Sequence, residues 1–242
     1  MTKKQVVLCV ASLSAAVALL TAILFYEGVL WFNMPSRQAY PVWGVDVSNW
    51  QGDIDWPVMA REGMDFVFIK ATEGQAFTDA RFAENWQGSR EAGLLTGAYH
   101  FLSGSSTGAK QAAHFIATVP REAGMLPPVI DIEVGIAMPG INSILDEMIA
   151  ALEAHYGVPP ILYVTHDTFE AFVAGRYTQC PIWIRDVVKQ PALSDGRDWL
   201  LWQYSNRGRL DGYEGSERFI DLNVFCGGLE AFEGMLVVAT EP

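Results

Sequence analysis

The chain has 242 residues, half of them hydrophobic and 18% charged, which fits one large folded domain and excludes a disordered polymer. A formal charge of -12 excludes a nucleic-acid partner, because phosphate binding needs clustered lysine and arginine. Three cysteines, Cys9, Cys180 and Cys226, are too few for a disulfide framework and lack zinc-site spacing, and spacing alone leaves open whether Cys180 and Cys226 bridge.

After Lys3 and Lys4, residues 5–26 carry no charge. As a helix rising about 1.5 Å per residue, this run crosses a hydrocarbon core of about 30 Å. The two lysines favour an N-terminus left in the cytoplasm, and Tyr26, Trp31 and Phe32 suit the far interface. A cleavable signal peptide has a shorter apolar core and a small-x-small site; Ala16 and Ala18 offer such a site, but the apolar run continues through Leu24. The expectation is an uncleaved signal anchor over residues 1–34, with the remainder exported to the periplasm or cell-wall side. Cleavage would instead release a secreted protein. Residues 35–41 read as a proline-flanked polar linker, and 42–242 as one domain.

From residue 42 strand-like and helix-like runs alternate. VWGVDVS precedes DIDWPVMAREG, MDFVFIKAT precedes DARFAENWQGSREAG, and LLTGAYHFL precedes TGAKQAAHFIATV. PPVIDIE then precedes NSILDEMIAALEAHYG, and PILYVT precedes HDTFEAFVAG. After Gly175 the helical pattern stops and three strand-like runs follow: CPIWIRDV, WLLWQYS and RFIDLNVF. Five β/α units and three further strands predict an α/β barrel of eight strands, parallel where helices cover it.

In such a barrel the active site lies at the C-terminal ends of the strands. Asp46 closes the first strand, Glu73 follows the second, Tyr99 and His100 lie on the third, Asp131 and Glu133 on the fourth, and Asp221 on the eighth. A strand has a side-chain period of two, so Asp131 and Glu133 project from one face. Two acids sharing an enclosed site do not both ionise easily, and the less solvated one keeps its proton. A proton donor beside an anion is what cleavage of a glycosidic bond requires.

The segments GVDVSNWQGDIDW, FVFIKATEG, GAYHF, PPVIDIE, WQYS and IDLNVF, in this order, resemble glycoside hydrolase family 25, lysozymes that cleave peptidoglycan between N-acetylmuramic acid and N-acetylglucosamine. The resemblance covers about residues 42–226 and implies a flattened TIM-like barrel of five β/α units followed by three strands. It makes Glu133 the general acid, Asp131 its close partner, and Asp46 and Asp221 the remaining carboxylates. Asp221 is then the candidate for stabilising positive charge or orienting an N-acetyl group. Whether the mechanism runs through the acetamido group or a covalent intermediate stays open. Tyr99, Tyr163, Trp183, Trp202 and Gln203, on strands ending at the same rim, are candidate sugar contacts. The sixth strand departs from the WIA pattern of many members by placing Arg185 and Asp186 after Trp183.

Less specific readings stand beside these. Asp-x-Glu alone is commonly a solvated pair, Asp46 alone a turn residue, and Lys70 with Glu73 a structural ion pair. His100 reads equally as a hydrogen-bonded barrel residue or a catalyst. No two histidines have metal-ligand spacing, so neither a metal nor a cofactor is expected. The leading expectation is a membrane-tethered, monomeric muramidase whose partners are peptidoglycan strands and the cytoplasmic membrane. The alternatives are an inactive glycan-binding scaffold and a chitinase-like hydrolase.

Overall fold

The computed structural model describes residues 1–238; residues 239–242, the end of the expected barrel domain, lie outside it. Helix α1 (Lys3–Tyr26) begins in a capping box, with the Thr2 hydroxyl accepting from the Gln5 amide while the Gln5 side chain accepts from the Thr2 amide. None of its side chains is buried. A predominantly apolar helix with no buried side chain is suited to lipid.

Eight strands form the barrel: β1 (Trp43–Val47), β2 (Phe66–Glu73), β3 (Leu95–Phe101), β4 (Val129–Asp131), β5 (Ile161–Thr165), β6 (Ile182–Arg185), β7 (Leu201–Gly208) and β8 (Ile220–Phe225). Adjacent strands pair in parallel from β1 through β7, and β1 also pairs with β8 to close the ring. Between the first strands lie α2 (Trp56–Arg61), α3 (Phe82–Glu91), α4 (Gly108–Thr118) and α5 (Ile141–Tyr156). A short α6 (His166–Thr168) continues as a π turn to Val173. The expected five β/α units and three closing strands are present.

The eighth strand departs from the parallel order. It runs antiparallel to both β7 and β1. With no helix after β7, the connection is a hairpin-like return, and only a crossover could keep the strands parallel. Its consequence is positional: β8 starts at the rim where the parallel strands end, so Asp221 near its beginning lies directly across from Asp46 near the end of β1.

Alternation sorts the strand residues into two cores. Val45, Val47, Val67, Ile69, Ile130, Ile132, Leu162 and Ile184 face outward under the helices. Phe66, Phe68, Val129, Ile161, Trp183, Leu201 and Phe225 fill the lumen. Space for the two phenylalanines of β2 comes from the strands on either side: a side chain at Gly44 or Gly97 would collide with the Phe66 or Phe68 ring. The helical pattern also does not end at Gly175, because α7 (Leu229–Glu233) follows β8. Its Phe232, fully buried against Phe66 and Phe225 at ring-centroid distances of 4.9 and 4.8 Å, closes the barrel bottom. Among the described residues, the opposite mouth of the barrel is the open one.

The segment expected to be a linker packs on the barrel. Pro35 is buried, Arg37 donates to the Gly63 carbonyl and lies over the Trp43 ring, and the Trp43 indole donates to the Tyr40 carbonyl. Tyr40, Trp43, Trp199, Trp202 and Tyr204 form one aromatic patch. That patch covers the outer face of the strands that no helix covers.

Candidate active site

The open mouth is a groove with two adjoining lobes. Asp46, Asp131, Glu133 and Asp221 all line the first lobe, with Tyr99, Tyr163 and Trp183. Glu133, Asp221 and Tyr163 continue into the second, with Arg185, Gln203, Glu217 and Phe219. The four acids singled out in the sequence are therefore neighbours. Strand β4 ends at Asp131, but Ile132 still donates to the Tyr163 carbonyl, so the backbone stays extended long enough for Glu133 to reach the same cavity.

Each acid meets a different environment. Asp46 accepts from Asn223 Nδ2 at 2.7 Å and from Gln203 Nε2 at 3.1 Å, both on its Oδ2. Trp183 Nε1 donates to Asn223 Oδ1 and the Tyr163 hydroxyl donates to Gln203 Oε1, so both amides are oriented from behind. Burial nevertheless pushes the Asp46 carboxyl up to about 6, with the charge of Glu133 adding to the effect. Asp131 is buried, its Oδ1 has no hydrogen-bond partner, and burial together with the charges of Glu133 and Asp46 holds its carboxyl well above the usual range. Asp221 is raised by burial and then by Asp46, while Arg185 pulls it back. A carboxyl whose anion is this poorly solvated stays protonated near neutrality and can donate a hydrogen bond.

Glu133 is the solvent-facing member, with its Oε1 3.6 Å from Arg185 Nη1. The paired acids thus divide as burial dictates: Asp131, not Glu133, is the enclosed one. Neighbouring Asp186 plays another part, accepting from His166 Nε2 and from the amides of Val188 and Lys189. Burial raises its carboxyl, but these donors outweigh that and lower it overall. The unexpected Arg-Asp pair on β6 therefore puts one cation in the groove and one turn-forming acid behind it.

The sequence profile of glycosyl hydrolases family 25 matches residues 45–213, most of this barrel and three of its four acids. The chain belongs to glycoside hydrolase family 25. It is thus a glycoside hydrolase by family, on the barrel that the family profile spans. It is 35% identical to the uncharacterized protein YegX of Escherichia coli over 87% of this chain and 79% of that protein. It is 32% identical to Lysozyme M1 of Streptomyces globisporus, covering 77% of this chain and 68% of the other. Among solved structures, a family 25 glycosyl hydrolase from Bacillus anthracis superposes with a TM-score of 0.79 at 45% identity, covering 85% of this chain and 97% of that one.

Within this family 25 barrel the expected sugar contacts separate. Tyr99 and Tyr163 form groove walls, and Trp183 lies beneath them, 2% exposed, packed edge-to-face with Tyr163 and tilted against Phe68. Gln203 lines the second lobe, but both ends of its amide are engaged by Tyr163 and Asp46. Trp202 does not face the groove. As the strand neighbour of Gln203 it points to the opposite face, where its indole donates to the Asp186 carbonyl inside the aromatic patch. His100 is also turned away from the lumen. It lies between Thr72 and Gln111, and because Gln111 Oε1 already accepts from the Ser103 amide, His100 Nε2 is the donor and Nδ1 accepts from Thr72. Burial pushes its imidazole down to about 4, which suits a neutral structural residue. Lys70 and Glu73 pair at 2.8 Å with Lys70 also lining the first lobe, and all three cysteines are free thiols, Cys180 and Cys226 included. Asn223, inside the IDLNVF segment, was not anticipated; its signal is the strand period that puts it two residues from Asp221 on the lumen side.

Proposed function

We propose that this enzyme hydrolyses peptidoglycan, cutting the β-1,4 bond between N-acetylmuramic acid and N-acetylglucosamine. The observation that carries the proposal is the gathering of four carboxyl groups at the floor of one groove, three of them held toward the protonated form. Names of relatives, Lysozyme M1 among them, point to the same polymer.

In this reading Glu133 is the delivering member of the four because it is the most exposed of them. Glu133 gives a proton to the bridging oxygen as the C–O bond breaks. Asp131, kept protonated beside it, limits the negative charge there. Asp46, fixed by Asn223 and Gln203 and ionised above about pH 6, is the anion beside the developing oxocarbenium charge, with Asp221 across the strand pair. In this reading Asp221 also orients an N-acetyl group. Tyr99 and Tyr163 supply walls for pyranose rings.

We read α1 as an uncleaved membrane anchor. Its 24 residues reach about 36 Å at 1.5 Å per residue, enough to span, and Lys3 and Lys4 favour an inside N-terminus with the barrel on the wall side. The supporting assay uses the full chain in detergent on purified peptidoglycan. The parent should clear turbidity and release soluble fragments, and Glu133→Gln should not. A parent that pulls down wall material but releases nothing would instead mark a glycan-binding scaffold.

A further inference from the structure

At the outer end of α1 the chain does not swing free. Leu24 O accepts from both Val29 and Leu30, and Gly28 turns with φ +70, closing the helix end tightly. Gly28 also lies directly on the backbone of β7: any side chain there would collide with the Arg207 carbonyl. The residues on either side of this contact are engaged by the barrel. Glu27 pairs with both Arg209 and Arg218, and Arg207 Nη1 donates to the Tyr26 carbonyl at 2.7 Å with its guanidinium 5.1 Å over the Tyr26 ring. Trp31 Nε1 and Asn33 Nδ2 both donate to the Tyr204 carbonyl at 3.0 Å.

Three of the sixteen basic residues of an acidic chain thus converge where the apolar helix ends. They also enclose Phe219, with guanidinium-to-ring distances of 5.1 Å for Arg207 and 5.5 Å for Arg209 and Arg218. Phe219 lines the second lobe of the groove. The receptor for the helix end and one wall of the groove are therefore the same piece of protein.

We propose that residues 27–33 are a latch that docks the membrane anchor onto β7 and the loop before β8, so that the groove is held in one orientation to the bilayer. This rests on the reading of α1 as an uncleaved anchor. A tether of seven or more flexible residues would let the barrel roll and sample glycan at many heights. A docked barrel presents its groove at one height and one angle, and so acts on strands lying at a fixed distance from the membrane. The individual exposed ion pairs are weak, but the indole and amide bonds to one carbonyl and the side-chain-free approach at Gly28 make the set geometrically specific.

The native cysteines give a direct test. Cys9 on α1 and Cys226 after β8 are exposed, whereas Cys180 is buried with its thiol pushed up to about 12, so nitroxide labels report one helix-to-barrel distance in the full chain in nanodiscs. A single narrow distance by double electron–electron resonance is expected. It should stay narrow when ten Gly/Ser residues are inserted between Asn33 and Met34, because the latch and not chain length sets it. Adding Glu27→Ala and Trp31→Ala to the insertion should broaden it over a tether range of ~17 Å, while turnover on soluble glycan shows that the barrel is still folded. A broad distribution in the parent, or insertion alone as broad as the combined variant, would overturn the proposal. Loss of Cys9 by processing, read from the intact mass, would overturn the anchor reading and with it the latch, by a separate signal.

Discussion

Glu133 and Asp131 stand one residue apart, with Ile132 between them, and differ in their whole environment. Replacing Glu133 with glutamine removes the proposed proton donor and should lower kcat by about 10²–10⁴-fold. Asp131→Asn keeps a hydrogen-bonding group where the native one is held neutral and should cost less. Asp46 gives a cleaner signal in stability. Its folded pKa of about 6 lies above the ordinary 3.8, so its protonated form favours folding below about pH 4, and that contribution is lost as pH rises through about 6. Asp46→Asn retains an acceptor for Asn223 and Gln203 without the charge. Its melting temperature relative to the parent should therefore climb between pH 4 and 7, by an equivalent of ~1–3 kcal/mol; a pH-independent difference would contradict the assignment. Arg185 pulls down the carboxyls of Asp46 and Asp221. Arg185→Ala should then move the alkaline limb of the pH–rate profile upward, and Arg185→Lys should largely restore it.

The elements show which parts of the fold are legible in a one-dimensional pattern. The alternation of apolar runs and amphipathic stretches locates β1 through β6 and their helices, because each strand is buried on both faces and each helix on one. It also locates Asp46, Asp131, Glu133 and Asp221, because acids at the ends of apolar strands have nowhere to go but the mouth. What it misses is direction and face. Nothing local distinguishes a parallel β8 from an antiparallel one, and α7 is too short to show a period. Trp202 is the instructive case: next to Gln203 in WQYS it shares the strand but not the face, and the absence of a covering helix over β7 makes an aromatic patch necessary there. Trp202→Phe should lower stability by ~1–3 kcal/mol through loss of the Asp186 hydrogen bond and packing, with KM for wall fragments unchanged. At the barrel bottom, Phe232→Ala should destabilise by ~3–5 kcal/mol through the cavity it leaves. Chemical denaturation with parallel steady-state kinetics checks both.

For the whole molecule, the net charge of -12 and the acid cluster act in opposite senses. The cluster needs a low-dielectric floor, supplied by Trp183, Tyr163 and the lumen phenylalanines, to keep protons near neutrality. The acidic surface favours solubility, and under the proposed anchor and latch the helix would hold the domain at a membrane. The measurement that bears most directly on the central claim is mass spectrometry of products from purified peptidoglycan digested by the full chain in oxygen-18 water. We expect fragments ending in reducing N-acetylmuramic acid that carry one heavy oxygen, absent from the Glu133→Gln digest. Fragments ending in reducing N-acetylglucosamine, or the same products at an undiminished rate from Glu133→Gln, would contradict it.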